Sequence, residues 1–444
     1  MAITGGKPLN GEIVVRGAKN AVAKEMVAAL LTKESCLLKN VSDVQDTEIV
    51  ASMIRAMGGE VLRQENGTLE IKSANLHAVH YRELKHIAGK SRIPILFAGP
   101  LLARFHEAML PELGGCGIGE RPIDFHLDAL QKMGATIEMI PKGVHLKAKK
   151  LIGAKIHLQF SSVGATEQVL LAGVLAEGVT TLTNAAIEPE ILDLISVLQK
   201  MGAIISVDID RTITITGVKE LKAYEHSAIP DRNETVSWAC AAAATDGKIK
   251  VKNARQADIM TFLSTFRLVG GEFEVEDDGI TFLRGQSGLK PITIETGVHP
   301  GFMTDWQQPM TILLTQANGT SIIHETVYEE RFGYVHALNE MGAKIELHTE
   351  CLGGKICRYS QEGYEHSAII TGPTPLHAAK ITVPDLRAGF SYVVAALVAQ
   401  GTSTIGNIGL ISRGYENFME KLKSLGAEVG EWRGVFIPAE TEIL

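Results

Sequence analysis

The sequence lacks a long apolar run. The longest charge-free apolar stretch of its N-terminal third, Ile93 to Ala103 between Arg92 and Arg104, has 11 residues, against about 20 for a bilayer-spanning helix. No membrane helix is expected. Positive charge is also short: 43 Lys plus Arg face 51 Asp plus Glu, a formal net charge of −8. That balance disfavours nonspecific attraction to nucleic acid or an anionic membrane, so any anion site must be local. Met1 opens into M-A-I-T-G-G-K-P-L-N-G with no basic stretch leading into an apolar one, so no secretory signal is visible and the expected compartment is the cytoplasm. The five cysteines (Cys36, Cys116, Cys240, Cys351, Cys357) are odd in number and scattered, which suits reduced thiols better than a disulfide framework. Cys351 and Cys357 are the only close pair, and no C-x-x-C or H-x-x-x-H spacing accompanies them. They are expected to be structural, with no metal.

What is present is length and repetition. The chain has 444 residues, about three times a typical 150-residue domain, so at least two domains or one large repetitive architecture is expected. With 45% hydrophobic and 21% charged residues it can build a sizeable core. A short phrase recurs six times: I-R-A-M-G-G-E-V ending at Val61, L-Q-K-M-G-A-T-I at Ile137, L-Q-K-M-G-A-I-I at Ile205, F-R-L-V-G-G-E-F at Phe273, L-N-E-M-G-A-K-I at Ile345 and L-K-S-L-G-A-E-V at Val429. The first glycines (Gly58, Gly134, Gly202, Gly270, Gly342, Gly426) are 76, 68, 68, 72 and 84 residues apart. Each phrase reads as the last turn of an amphipathic helix, a left-handed glycine cap and an alternating strand. Units of that size leave an apolar helix face uncovered unless they pack together, and their period exceeds the 20–50 residues usual in solenoids. A closed α/β assembly is expected. Three units per globule set a boundary near the polar stretch Ala223 to Arg232, giving two lobes with a ligand cleft between them.

Several local patterns could carry chemistry. Gly17 precedes a helix whose first turn holds Lys19 and Asn20, a setting that suits an anion. Leu113 to His126 (L-G-G-C-G-I-G-E-R-P-I-D-F-H) surrounds Cys116 with glycines and puts Arg121 five residues on, which suggests an exposed, mobile thiol. Ser162-Val163-Gly164 opens a helix with small residues that let backbone N–H groups approach a diphosphate, or simply cap it. Asp305 and Asp385 each stand where a helix starts, and capping explains both. Arg331 and Arg413 are each, alone, a surface arginine.

Together these motifs resemble the enolpyruvyl transferases. The resemblance rests on G-A-K-N-A, G-G-C-G-I-G-E-R-P-I-D, S-V-G-A-T, E-P-E-I-L-D, P-D-R-N-E-T, H-P-G-F-M-T-D, E-T-V-Y-E-E-R-F, D-L-R-A and R-G-Y-E, in the family's order along nearly the whole chain. It implies a two-lobed inside-out α/β barrel of six repeated units, three per lobe. Residues 1–20 and 230–444 would form a catalytic lobe, and 21–229 a second lobe carrying the Cys116 loop. The implied reaction transfers the enolpyruvyl group of phosphoenolpyruvate to the 3′-hydroxyl of UDP-N-acetylglucosamine, the first committed step of peptidoglycan precursor synthesis, through a tetrahedral intermediate.

By the same resemblance Cys116 would protonate the methylene carbon and Asp305 would take the hydroxyl proton. Lys19, Arg121 and Arg413 would hold the phosphate, with Arg92 and Arg387 nearby. Asn20 and Asp305 would contact the sugar. Arg121, Pro122, Ile123, Asp124 and Phe125, Ser162, Val163 and Gly164, and Val327 would contact the uridine diphosphate part, with Arg331 and Asp385 also in the substrate set. No cofactor or metal is implied, the partners are the two substrates alone, and oligomeric state is left open. Alkylation of Cys116 by the epoxide antibiotic fosfomycin is implied too. Leu113, Phe160, Leu410 and Ser412 depart from the family pattern, and Cys351 to Ala368 looks like an inserted surface excursion. A 5-enolpyruvylshikimate-3-phosphate synthase-like enzyme and a noncatalytic sugar-nucleotide-binding paralogue are the alternatives; Lys19-Asn20 and Cys116 argue against the first, and the filled catalytic positions against the second.

Overall fold

The computed structural model describes residues 1–77, 81–89, 91–113 and 123–430. The chain divides into two compact units, one holding residues 1–15 and 232–430, the other 16–113 and 123–231. No helix among the described residues is long and apolar enough to cross a membrane.

All six repeat glycines adopt the left-handed conformation, with φ of 88° at Gly58, 95° at Gly134, 102° at Gly202, 97° at Gly270, 94° at Gly342 and 88° at Gly426. A side chain there would be strained, and a glycine ends the helix so that the chain can turn into a strand. Repetition of this device produces small sheets. The unit of residues 16–231 carries Glu225–Ser227, Cys36–Lys39, Leu69–Lys72 and Glu60–Arg63 in one sheet, Glu107–Pro111, Gly143–Lys147 and Thr136–Ile140 in a second, and Ile204–Val207, Ile213–Thr216, Val179–Thr183 and Lys155–His157 in a third. Among the described residues the other unit also has three. Each four-stranded sheet joins one parallel pair to antiparallel neighbours, as where Lys155–His157 runs parallel to Val179–Thr183. Among the described residues the strands form separate open sheets of three or four strands and no single sheet closes upon itself, which takes about eight strands.

Burial explains where the helices go. In the unit of residues 1–15 and 232–430, every residue of the helices Arg232–Ala244 and Gln307–Leu314 is buried, and nearly every residue of Leu386–Val398. A helix without a polar face belongs in a core, and these three pack on one another. Trp238 meets Phe390 edge-on at 4.8 Å, and Phe390 stacks on Tyr415 at 4.5 Å; burying a phenylalanine contributes about 1.5–3 kcal/mol. The strand Lys248–Lys252 of the same unit buries alternate residues, one side against the core and the other outward. In the other unit the helices Lys19–Ala28 and Val163–Gly173 are buried from their second turns onward. The first strand of the chain, Ala2–Thr4, lies between Thr402–Gly406 and Glu428–Gly430, antiparallel to both.

Candidate active site

Asp305 lies in the turn Thr304–Trp306 that leads into the helix Gln307–Leu314. The sequence suggests a helix cap, and here the structure differs: no side chain caps either element. The carboxylate instead accepts from Arg331 Nη2 at 2.7 Å, from Arg387 Nε at 3.3 Å and from Asn233 Nδ2 at 3.3 Å. Asn233 is oriented by Trp306, whose Nε1 donates to its Oδ1 at 2.9 Å. Both arginine side chains are nearly enclosed, at 3% and 5% exposure, while Asp305 keeps 23%. The carboxylate is thus the accessible end of a buried cationic pair. Burial alone would lower the pKa of Arg331, but Asp305, Asp385 and Glu325 outweigh it and raise the value, so the guanidinium stays charged.

Below Asp305, Glu325 organises the backbone. Its Oε1 accepts from the amides of Val327 and Tyr328 at 2.8 and 3.2 Å, and its Oε2 from Thr304 Oγ1 at 2.9 Å and Gln307 Nε2 at 3.3 Å. Burial pushes its carboxyl pKa up, and Arg331 and these donors only partly offset the rise. Asp385 does cap a helix, accepting from the amides of Arg387 and Ala388 at 2.9 and 3.1 Å, and so fixes the start of the helix that carries Arg387. The Arg387 guanidinium sits 5.5 Å from the ring of Tyr415, two residues past Arg413, which ends the turn Ile408–Arg413. Leu410, three residues before it, is half-buried, and Ser412, directly before it, is exposed. In this unit Asp305, Arg331 and Arg387 meet by direct bonds, Asp385 joins through the backbone of Arg387, and Val327 through Glu325.

In the other unit Lys19 starts the helix Lys19–Ala28. Its Nζ pairs with Asp46 at 2.6 Å and its amide donates to Asp231 at 3.1 Å. The anion-friendly helix start therefore already holds a carboxylate. The Asn20 carbonyl accepts from Lys24 Nζ at 2.6 Å, and Lys24 pairs with Glu167 at 3.3 Å, which ties the beginning of this helix to that of Val163–Gly173. Burial pushes the pKa of Glu167 up to about 7, with Lys24 pulling the other way. Ser162 caps the second helix, its hydroxyl accepting from the Ala165 amide at 3.3 Å. A side chain at Gly164 would meet the His126 ring at 3.0 Å. Burial, then the charge of Arg92, brings the pKa of His126 down to about 4, against a raising bond from Gln168. Arg92, His126, Ser162, Val163 and Gly164 thus form one neighbourhood with a neutral imidazole. Ile123 and Phe125 pack half-buried against the core, and Asp124 is exposed at the start of Asp124–Lys132. Leu113 and Phe160 are half-buried. Cys116, Arg121 and Pro122 lie outside the described residues.

Asn233, Asp46, Asp231, His126 and Glu325 are the residues that the sequence reading missed. Asp231 and Asn233 stand within P-D-R-N-E-T, and His126 closes the Gly-rich stretch, so both patterns held a signal. Glu325 opens E-T-V-Y-E-E-R-F and accepts from amides two and three residues on, so that pattern held a signal too; Asp46 carried none, because Lys19 lies 27 residues away in the chain.

Comparison with known proteins gives one family and consistent relatives. Residues 3–422 match the model of the EPSP synthase (3-phosphoshikimate 1-carboxyvinyltransferase) family. A protein of Protochlamydia amoebophila (strain UWE25) named UDP-N-acetylglucosamine 1-carboxyvinyltransferase is 48% identical over 436 residues, 97% of this chain and 93% of its own. One of Chlamydia pneumoniae with the same name is 45% identical over 425 residues, 95% of this chain and 92% of its own. Among solved structures, the enolpyruvyl transferase NikO from Streptomyces tendae superposes with a TM-score of 0.84 at 22% identity, covering 96% of this chain and 97% of that one, a likeness of fold.

Proposed function

The chain belongs to the EPSP synthase family, and we propose on that footing that it transfers the enolpyruvyl group of phosphoenolpyruvate to the 3′-hydroxyl of UDP-N-acetylglucosamine and releases phosphate. The observation that carries the choice of acceptor is the 48% identity, over 97% of the chain, to a protein of that name. With it comes a role in cell-wall precursor synthesis, in the cytoplasm, and the reading of the six sheets as six copies of one folding unit, three in each lobe.

The chemistry divides among named residues. Cys116 delivers a proton to the methylene carbon of phosphoenolpyruvate, which makes the adjacent carbon electrophilic, and the sugar hydroxyl attacks as Asp305 takes its proton. Collapse of the tetrahedral intermediate expels phosphate and returns a proton from the methyl carbon. Two guanidiniums, those of Arg331 and Arg387, donate to the Asp305 carboxylate. An arriving phosphoenolpyruvate competes for Arg331 and Arg387 with its own carboxylate. As they turn to the substrate, the Asp305 carboxylate is freed to accept from the sugar hydroxyl. Lys19, Arg121 and Arg413 bind the phosphate, with Arg92 nearby. Asn20 holds the sugar, while residues 121–125 and 162–164 and Val327 hold the uridine diphosphate part.

The test is phosphate release from phosphoenolpyruvate with UDP-N-acetylglucosamine or shikimate 3-phosphate as acceptor, with Cys116→Ser and Asp305→Ala as controls. Release with the sugar nucleotide alone, impaired in both variants, supports the reading. Release with shikimate 3-phosphate points to the other branch of the family, and no release from folded, nucleotide-binding protein points to a noncatalytic paralogue.

A further inference from the structure

The segment between the strands Lys344–His348 and Ser367–Gly372 leaves the sheet for 18 residues, 349–366. As a plain surface excursion it would be polar throughout, yet Cys357, Tyr359 and His366 are buried. Cys351 and Cys357 stand with their sulfurs 3.6 Å apart, too far for a disulfide, and both are free thiols. Cys351 Sγ lies 3.3 Å from His366 Nε2, and His324, fully buried at the end of the neighbouring strand Gly319–His324, completes the group. One ligand atom from each of these four residues lies within 4.8 Å of all the others.

From this geometry we propose that Cys351, Cys357, His366 and His324 form a structural zinc site. A tetrahedral zinc ion with Zn–S near 2.3 Å and Zn–N near 2.0–2.1 Å sets its sulfurs about 3.8 Å apart and sulfur and nitrogen about 3.6 Å apart; the observed 3.6 and 3.3 Å fall just inside. The second layer fits as well. His366 Nδ1 lies 2.7 Å from the carbonyl of Tyr364 and His324 Nδ1 3.1 Å from the carboxylate of Glu295. Each ring thereby has a partner for its Nδ1 proton and turns Nε2 inward, the arrangement that orients metal-bound histidines. His324 Nε2 is buried and has no hydrogen-bond partner, as a lone pair reserved for an ion would be. The amide of Cys357 points at the sulfur of Cys351 at 3.4 Å, and a donor there stabilises a thiolate. Gly353 is part of the same construction: a Cβ there would come within 2.3 Å of His324 Nδ1 and 2.6 Å of Glu295. Binding replaces the two thiol protons, which pass to solvent, and leaves a neutral Zn(Cys)₂(His)₂ centre.

The site clips the excursion to the sheet. That matters because Arg358 and Tyr359, inside the clipped loop, both donate to the carbonyl of Val327, at 2.7 and 2.8 Å.

The experiment uses the full chain grown with added zinc and purified under reducing conditions. Elemental analysis is expected to find one zinc per chain, and a chromophoric chelator to show its retention. The cobalt(II)-exchanged protein should have the intense visible bands of a tetrahedral thiolate site. Cys351→Ser and Cys357→Ser should lose the metal and the bands. Glu295→Gln, which keeps the ligands and should fold normally, should bind zinc 10–100-fold more weakly. A metal-free wild-type protein that takes up neither ion, a Cys351–Cys357 disulfide, or zinc affinity unchanged in both Cys351→Ser and Glu295→Gln would each overturn the proposal.

Discussion

Arg331 donates to one oxygen of Asp305 at 2.7 Å from a position where only 3% of its own side chain meets solvent. The pair is one-sided: the cation is enclosed and the anion is reachable. Removing the carboxylate strands a buried charge, whereas amidation keeps the shape. Asp305→Ala is therefore expected to cost about 3–5 kcal/mol of stability, read from the denaturant midpoint. Asp305→Asn should fold well and lose about 10²–10⁴ in kcat. An Asn variant with full turnover would remove Asp305 from the reaction.

Glu167 couples stability to pH. Its folded pKa of about 7 lies above the ordinary value of 4.5, so between these pH values the folded chain binds more protons than the unfolded one and stability falls as pH rises. The full displacement is worth at most about 3 kcal/mol. Glu167→Gln is expected to flatten the fall in Tm between about pH 4.5 and 7, measured by calorimetry; an unchanged profile would contradict it.

Gly164 has no room for a methyl group, because a Cβ would stand 3.0 Å from the His126 ring. Gly164→Ala is expected to displace that ring or the start of the Val163–Gly173 helix. The cost in stability is about 1 kcal/mol, and the KM for UDP-N-acetylglucosamine should rise severalfold while kcat changes little. Equal KM values in steady-state assays would separate this turn from substrate binding.

Cys116 is expected to carry the reactive thiol. Incubation with fosfomycin should add one equivalent of the drug to wild-type protein and none to Cys116→Asp, as read by intact-protein mass. Retained turnover in Cys116→Asp would mark the residue as a proton donor whose sulfur is dispensable, since a carboxylic acid can do the same work.

The sequence made the periodic parts of the molecule legible. A left-handed glycine after an amphipathic turn is a local matter, settled within a few residues, and all six repeat glycines adopt it. Caps were legible for the same reason, at Ser162 and Asp385. Asp305 was not, because its stated partners Arg331, Asn233 and Arg387 lie 26, 72 and 82 residues away and no local rule ranks them above a cap. The grouping around the cysteine pair was not legible for the same reason. Its spacing matches no familiar metal pattern, and His324 reaches it from another strand of the sheet.

The short strand Ala2–Thr4 has a consequence for the order in which the chain is made. Its two neighbours, Thr402–Gly406 and Glu428–Gly430, leave the ribosome more than 390 residues later, roughly 20–80 s at about 5–20 residues per second. The unit of residues 16–231 has all its strand partners within one continuous stretch and can fold while synthesis continues. Until Thr402–Gly406 and Glu428–Gly430 have both emerged, Ala2–Thr4 must wait with the apolar Ile3 uncovered.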